Sequence, residues 1–180
     1  MRIIAGKYRG KKLKEFDIDT TRPTQDRVKE SIFNLIQFDI QGAVVLDLFA
    51  GTGALGIECI SRGARRTYLV DNNPRAISLI NDNLKTISGD FKVIKSDFMT
   101  FLKGVNHKFD IILLDPPFDS GYGEIAIDFI INNDLLSDNG IIIFETHFTN
   151  DFDSAKYTAF DTVKKKYGTV AVYKMVKKGN

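Results

Sequence analysis

Asp115-Pro116-Pro117-Phe118 brings together a carboxylate, two carbonyls stiffened by proline rings and an aromatic face. Proline fixes φ and lacks an N–H, so the pair predicts a stiff extended turn with bare carbonyls facing a cleft. A planar amine held there would give its two protons to the Asp115 carboxylate and the Pro116 carbonyl. That arrangement favours a more tetrahedral nitrogen with its lone pair free, and positioning supplies much of the rate of an in-line group transfer. Phe118 would stack on the ring bearing the amine once that base is flipped out of its surroundings. Guanine offers a carboxylate two neighbouring donors, N1–H and the 2-amino group, where adenine offers one. The preference for guanine is slight and leaves both bases open.

Gly51-Thr52-Gly53-Ala54-Leu55-Gly56 has the spacing G-x-G-x-x-G, after an apolar run and ahead of a helical pattern. Glycines let a backbone turn tightly against a ligand, and helix N-terminal N–H groups accept negative charge. Dinucleotides and S-adenosylmethionine both suit such a turn, but three features favour the latter. Asp47, just ahead of the glycines, would repel a pyrophosphate and stabilise an ammonium. No Lys or Arg occurs from Asp47 to Ser61. The chain also closes on a hairpin pattern, which a standard dinucleotide domain lacks. Phe49, Ala50, Gly51, Gly53 and Gly56 are then cofactor neighbours. Asp71, twenty residues after Gly51, suits the two ribose hydroxyls, with Asn72 beside it. Asp97 would accept from the adenine amino group, and Phe98 would give a backbone N–H or an apolar wall. An Asp at a strand end also commonly serves as an N-cap or turn former.

These residues need a doubly wound parallel sheet to carry them, and the chain alternates strand and helix patterns from residue 44 onward. Val44–Leu48, Thr67–Val70, Phe91–Lys95, Ile111–Leu114 and Ile141–Phe144 predict strands, with helices over Ala54–Arg62, from Pro74, and over Ile125–Ile131. The continuous apolar runs at Ile111 and Ile141 fit central strands buried on both faces. Thr158–Tyr167 and Thr169–Met175 break at Gly168 and predict an antiparallel hairpin. At the other end, Thr24 suits an N-cap and Gln25–Phe38 carries a helical stripe of Val28, Ile32, Leu35 and Ile36. Residues 1–15 predict a short basic ribbon with turns at Gly6 and Gly10. The expected organisation is one α/β domain over residues 1–180, with 1–40 as an N-terminal extension and 41–180 as the core.

The chain has 180 residues and a net charge of +2. Its basic residues are concentrated at the two ends, and termini that lay together would form a basic face suited to phosphates. One cysteine, Cys59, excludes an internal disulfide, and two isolated histidines give no zinc spacing. We expect no metal. With no apolar leader and no membrane-length apolar run, we expect a cytoplasmic protein without membrane contact.

Arg2-Ile3-Ile4-Ala5-Gly6-Lys7-Tyr8-Arg9-Gly10, Thr21-Arg22-Pro23-Thr24 to Arg27 with Phe33-Asn34, Asp47 to Gly53, Asp115 to Phe118 and Lys166-Tyr167-Gly168 resemble the bacterial RsmD family over essentially the whole chain. The resemblance implies a Rossmann-like class I methyltransferase fold, with a seven-stranded, mostly parallel sheet. It also implies S-adenosylmethionine-dependent methylation of the 2-amino group of a guanine in 16S ribosomal RNA, guanine 966 in that RNA's usual numbering. The partner would be this RNA within the small ribosomal subunit or its precursor. Arg22, Thr24 and Arg27 would lie near the cofactor and target pocket, and Arg2, Lys7, Arg9, Lys11 and Lys12 would track RNA phosphates. The family often has Glu in place of Asp71, and either can accept two hydroxyls. Adenine-N6 methylation of DNA or RNA fits the same tetrapeptide, although no separate target-recognition domain fits in this length. Glutamine methylation would favour Asn ahead of the prolines. A non-catalytic RNA-binding module would not need the glycines, Asp71 and Asp115 together.

Overall fold

The computed structural model describes residues 1–16 and 22–179, with the side chains of 22–24 left out. Its elements follow the sequence pattern: α1 (Arg22–Leu35), β1 (Val44–Asp47), α2 (Ala54–Ser61), β2 (Arg66–Asp71), α3 (Pro74–Leu84), β3 (Phe91–Lys95), α4 (Phe98–Gly104), β4 (Phe109–Leu114), α5 (Tyr122–Asn132), β5 (Leu136–His147), β6 (Phe160–Tyr167) and β7 (Val170–Lys177). The seven strands form one sheet in the order β3-β2-β1-β4-β5-β7-β6. Strands β1 to β5 pair in parallel, and β7 inserts antiparallel between β5 and β6. This is the Rossmann-like class I methyltransferase architecture expected from the sequence.

The apolar runs place the sheet between two helical layers. On one face, Val28, Ile32, Phe33 and Ile36 of α1 pack on Val45, Ile111, Leu113 and Ile143. Ala54, Ile57 and Ile80 from α2 and α3 cover Leu69 on the same side. On the other face, Ala126, Ile127 and Ile130 of α5 meet Leu46, Ile112, Leu114 and Phe144. Cys59 is wholly buried and burial raises its thiol pKa. Alternate residues of the central strands therefore reach opposite layers, as a strand's period of two requires.

Several expectations change at the edges. Helix α1 begins at Arg22, two residues before Thr24, and ends at Leu35, leaving Phe38 90% exposed. Proline is well accommodated in a first helical turn, so Pro23 need not follow the cap. The basic ribbon is not a regular ladder. A single bridge joins Arg2 and Lys12, backbone bonds from Ile3 to Lys11, from Gly10 to Ile3 and from Leu13 to Met1 close the ribbon on itself, and α2 and α3 hold it from outside.

Glu58 of α2, fully buried, accepts from the N–H groups of Ile4 and Ala5 at 2.8 and 3.0 Å. It also pairs with Lys29 at 2.9 Å and Arg62 at 2.8 Å. Burial alone would raise this carboxyl, but Lys29 and its donors hold it below the usual range. Burial lowers the Lys29 ammonium against the opposing pull of Glu58. Lys29 also donates to the Arg2 carbonyl at 3.0 Å, which ties the ribbon to α1 as well.

The ribbon thus packs on α2 and α3, while the basic hairpin forms the β6 edge of the sheet.

Gly6 shows how closely the ribbon is seated. Its φ is +82° and an added Cβ would stand 1.9 Å from the Ser61 carbonyl oxygen. That same oxygen accepts from the Lys7 N–H at 2.8 Å. Gly6→Ala combines left-handed strain with a backbone collision, and we expect it to cost about 1–3 kcal/mol. A melting scan would show the loss, and limited proteolysis should cut the released ribbon first; an unshifted melting point and an intact ribbon would contradict this packing.

Candidate functional site

The carboxyl ends of the parallel strands converge on a cavity of about 770 Å³. β1 contributes Asp47, β2 contributes Asp71, the segment after β4 contributes Asp115, and β5 contributes Glu145. These strands are adjacent in the order β2-β1-β4-β5, so the four carboxylates form a row across the switch point between β1 and β4. At about 4.8 Å per strand, the row spans roughly 14 Å.

The glycine turn fixes the floor. Gly51 and Gly53 hold φ of +53° and +79°, where side-chain-bearing residues are strained. The Gly51 N–H donates to Asp71 Oδ2 at 2.8 Å, and the Asn73 N–H donates to Asp71 Oδ1 at 2.8 Å. Each oxygen of Asp71 keeps a second lone pair for a ligand hydroxyl. Asp47 is almost wholly buried and accepts from the Gly56 N–H at 2.8 Å. A Cβ on Gly56 would stand 2.8 Å from Leu69 Cδ2 and 3.0 Å from Asp47 Oδ2, so this glycine serves close packing behind the site. Phe49, Ala50, Gly51 and Asn72 line the cavity, whereas Gly53 and Gly56 support it from behind.

Phe98 lines the cavity and stacks obliquely on Phe49 at 5.3 Å and on Tyr122 at 5.0 Å. The three rings make an aromatic wall beside the acidic row. Asp97 takes its other predicted role: its carboxylate caps α4 by accepting from the Thr100 N–H at 2.9 Å, and it stands outside the cavity lining. The Thr100 hydroxyl is the chief cause of a lowered carboxyl pKa, and the Thr100 N–H adds to it.

Asp115, Pro116, Pro117 and Phe118 all line the cavity. The two proline carbonyls differ. Pro117's accepts from the Ser120 hydroxyl at 2.7 Å and the Ser120 N–H at 3.3 Å. Among the described residues no donor reaches Pro116's. The sequence expectation of two bare carbonyls therefore reduces to one. Phe118 is 48% exposed, with its ring edge-on to His147 at 5.9 Å.

Glu145 escaped the sequence reading. Leu113 and Leu114 pair with Ile143 and Phe144, and the next step of that register sets Asp115 beside Glu145. Asp115 opens onto the cavity, but protein surrounds it on its other sides, and this desolvation raises its carboxyl pKa. Desolvation raises Glu145 well above the carboxylate range, and the charge of Asp115 adds to it. Asp47 is pushed up to about 7, chiefly by burial, with Asp115 and Asp71 contributing. Neighbouring carboxylates that cannot all ionise retain protons until a cation arrives.

This chemistry fits S-adenosylmethionine. Its sulfonium and ammonium would meet an acidic row, its ribose Asp71, and its adenine the aromatic wall. A pyrophosphate would meet repulsion instead. Among the described residues, the two cationic groups that line the cavity are already engaged, Lys29 with Glu58 and the Met1 amine with Glu15.

The predicted RNA-facing residues that the structure describes are not among those lining this cavity. Arg2, Lys7, Arg9 and Lys12 are exposed on the ribbon, and Lys11 is half-buried. Arg27 is exposed on α1, and the side chains of Arg22 and Thr24 lie outside the described part of the structure.

Residues 1–176 match the family model described as conserved hypothetical protein 95. The chain is 39% identical over 153 residues to the ribosomal RNA small subunit methyltransferase D of Escherichia coli K12, covering 83% of this chain and 76% of that protein. It is 36% identical over 181 residues to the putative rRNA methyltransferase YlbH of Bacillus subtilis, covering 97% and 98%. Among solved structures, the putative methyltransferase yhhF of Escherichia coli superposes with a TM-score of 0.89 at 32% identity, covering 100% of this chain and 99% of that one. Among the described residues no helix is long and apolar enough to cross a membrane.

Proposed function

The chain belongs to the RsmD family, and from that premise we propose that it is an S-adenosylmethionine-dependent methyltransferase acting on the 2-amino group of a guanine in 16S ribosomal RNA. The observation that carries the reading is the acidic row in which Asp115 stands beside the unengaged Pro116 carbonyl. A cationic methyl donor suits the row, and an amine with two protons suits Asp115 and that carbonyl together.

When bound, S-adenosylmethionine supplies an electrophilic methyl group on a sulfonium sulfur. Asp47 faces the ammonium end, Asp71 accepts from the ribose, and Phe49 and Phe98 grip the adenine. Asp115 and the Pro116 carbonyl accept one N–H each from the guanine amino group, and Asp115 also faces N1–H. Phe118 stacks on the flipped ring. The nitrogen must shed a proton as it gains its methyl group, and Asp115 is the acceptor beside it. Glu145 keeps its own proton more tightly, which leaves the charge of the pair on Asp115, ready to take the proton that the nitrogen sheds.

Nucleoside mass spectrometry after reaction with small ribosomal subunits lacking the modification should give N2-methylguanosine. Label found only as N6-methyladenosine would overturn the guanine assignment.

A further inference from the structure

We propose that the RNA chain leaving the target nucleotide crosses His147 and runs along β6, the outer strand of the sheet, where Lys164 and Lys166 hold its phosphates. The track starts at Phe118, whose ring meets His147 at 5.9 Å. His147 ends β5, and the next residue, Phe148, hydrogen-bonds through its N–H to the Thr169 carbonyl at 2.7 Å, in the hairpin turn. Lys166 Nζ stands 3.5 Å from the centre of the Phe148 ring, and Lys164 Nζ stands 5.1 Å from it. Lys164 also lies 5.1 Å from the Tyr173 ring.

Position along the sheet agrees. Lys166 is opposite Ala171, which is opposite Thr146, one residue beyond Glu145 of the acidic row. Lys166 therefore sits level with the carboxyl end of β5, two strand spacings, roughly 10 Å, from its backbone. Lys164 and Lys166 are separated by two residues of an extended strand, about 7 Å. That spacing suits neighbouring phosphates of an extended nucleic-acid strand. The aromatic rings beneath fix the two ammonium groups without neutralising them.

Charge complementarity identifies the occupant. Lys164, Lys165 and Lys166 are consecutive and exposed, and among the described residues none is ion-paired. Nearby lysines behave differently: Lys174 pairs with Asp39, Lys177 with Asp134 and Lys178 with Asp161. A cationic strand interleaved with aromatic rings and starting at a base-stacking residue is the footprint of a single-stranded nucleic acid.

This inference rests on reading the substrate as RNA, and its test separates the two. Binding of a fluorescein-labelled single-stranded RNA oligonucleotide would be followed over a salt series, alongside methyl transfer to small ribosomal subunits. For the K164Q/K166Q protein the slope of log affinity against log salt should flatten by about 1.4, two phosphates at roughly 0.7 each. The KM for subunits should rise about tenfold, with kcat and S-adenosylmethionine affinity within twofold of the parent. K164R/K166R should restore both values, because the charge is kept. Parent-like binding and KM in K164Q/K166Q, with losses confined to a K7E/R9E/K11E protein, would overturn the β6 track and leave the RNA reading standing. Failure of the arginine variant to rescue would overturn it as well. A parent protein that neither binds the oligonucleotide nor labels subunits would overturn the RNA reading and the track with it.

Discussion

Asp115→Asn should lower methyl transfer by about a hundredfold to a thousandfold while leaving S-adenosylmethionine binding within a few-fold of the parent. The substitution keeps the shape of the side chain but turns one acceptor oxygen into an amine donor. That donor faces the amine it should hold, and the nitrogen loses both its orientation and its proton acceptor. Losses of this size follow removal of one preorganised electrostatic partner or one general base. Cofactor affinity survives because Asp47 and Asp71 lie on other strands and the aromatic wall comes from the turn after β1 and from α4 and α5.

The same residue sets a pH response. Desolvation pushes Asp115 up to about 6, and only its ionised form accepts from both guanine donors. Turnover in the parent should therefore climb as pH rises through that value and then level. Single-turnover rates over a pH series, beside calorimetric titration of the cofactor, test both statements. Cofactor binding that vanished in Asp115→Asn would mean that this carboxylate belongs to the cofactor's site.

Asp47→Asn should make the ligand-free protein more stable above neutral pH and a weaker cofactor binder. Burial lifts Asp47 from 3.8 to about 7. A carboxyl whose folded pKa exceeds its unfolded one stabilises the fold below the unfolded value, and that contribution is lost as pH rises through the folded value. Three units correspond to on the order of 4 kcal/mol. Asparagine keeps an oxygen for the Gly56 N–H and never ionises, so it avoids that loss. At pH 8 the variant's melting point should rise by roughly 5–10 °C, and the gap should close near pH 4. Binding of S-adenosylmethionine should weaken about tenfold or more at pH 8, where the parent's carboxylate meets an ammonium. Equal melting points at pH 8 would show that Asp47 is already compensated in the ligand-free protein.

The parallel strands were legible because each is an apolar run buried on both faces, and Gly51 and Gly53 because positive φ admits few other residues. Asp115 and its prolines stood out for a related reason: no central strand accommodates two prolines, so they had to mark its end. Glu145 did not stand out, since a single acid after Ile-Ile-Ile-Phe looks like an ordinary strand end. Only the β4–β5 register sets it beside Asp115, and register is a property of pairs of strands. Asp97 illustrates the opposite case. Phe98–Gly104 is too short for its periodicity to show, so the capping bond of Asp97 was legible only as one of two roles. The ribbon was legible as a segment but not in its placement, because its anchor, Glu58, is a helical residue far along the chain.

That separation has a consequence for assembly. The amide groups of Ile4 and Ala5 find their acceptor 54 and 53 residues later, and the Gly6 turn needs the end of the same helix. During synthesis the ribbon is made first but closes only after α2 exists. A loop of that length closes with an entropic penalty of about 3.5 kcal/mol from its length alone, and the local bonds between Met1–Ile3 and Gly10–Leu13 do not supply this anchor. The basic segment therefore stays unanchored on the nascent chain until residues 58–62 have left the exit tunnel and folded.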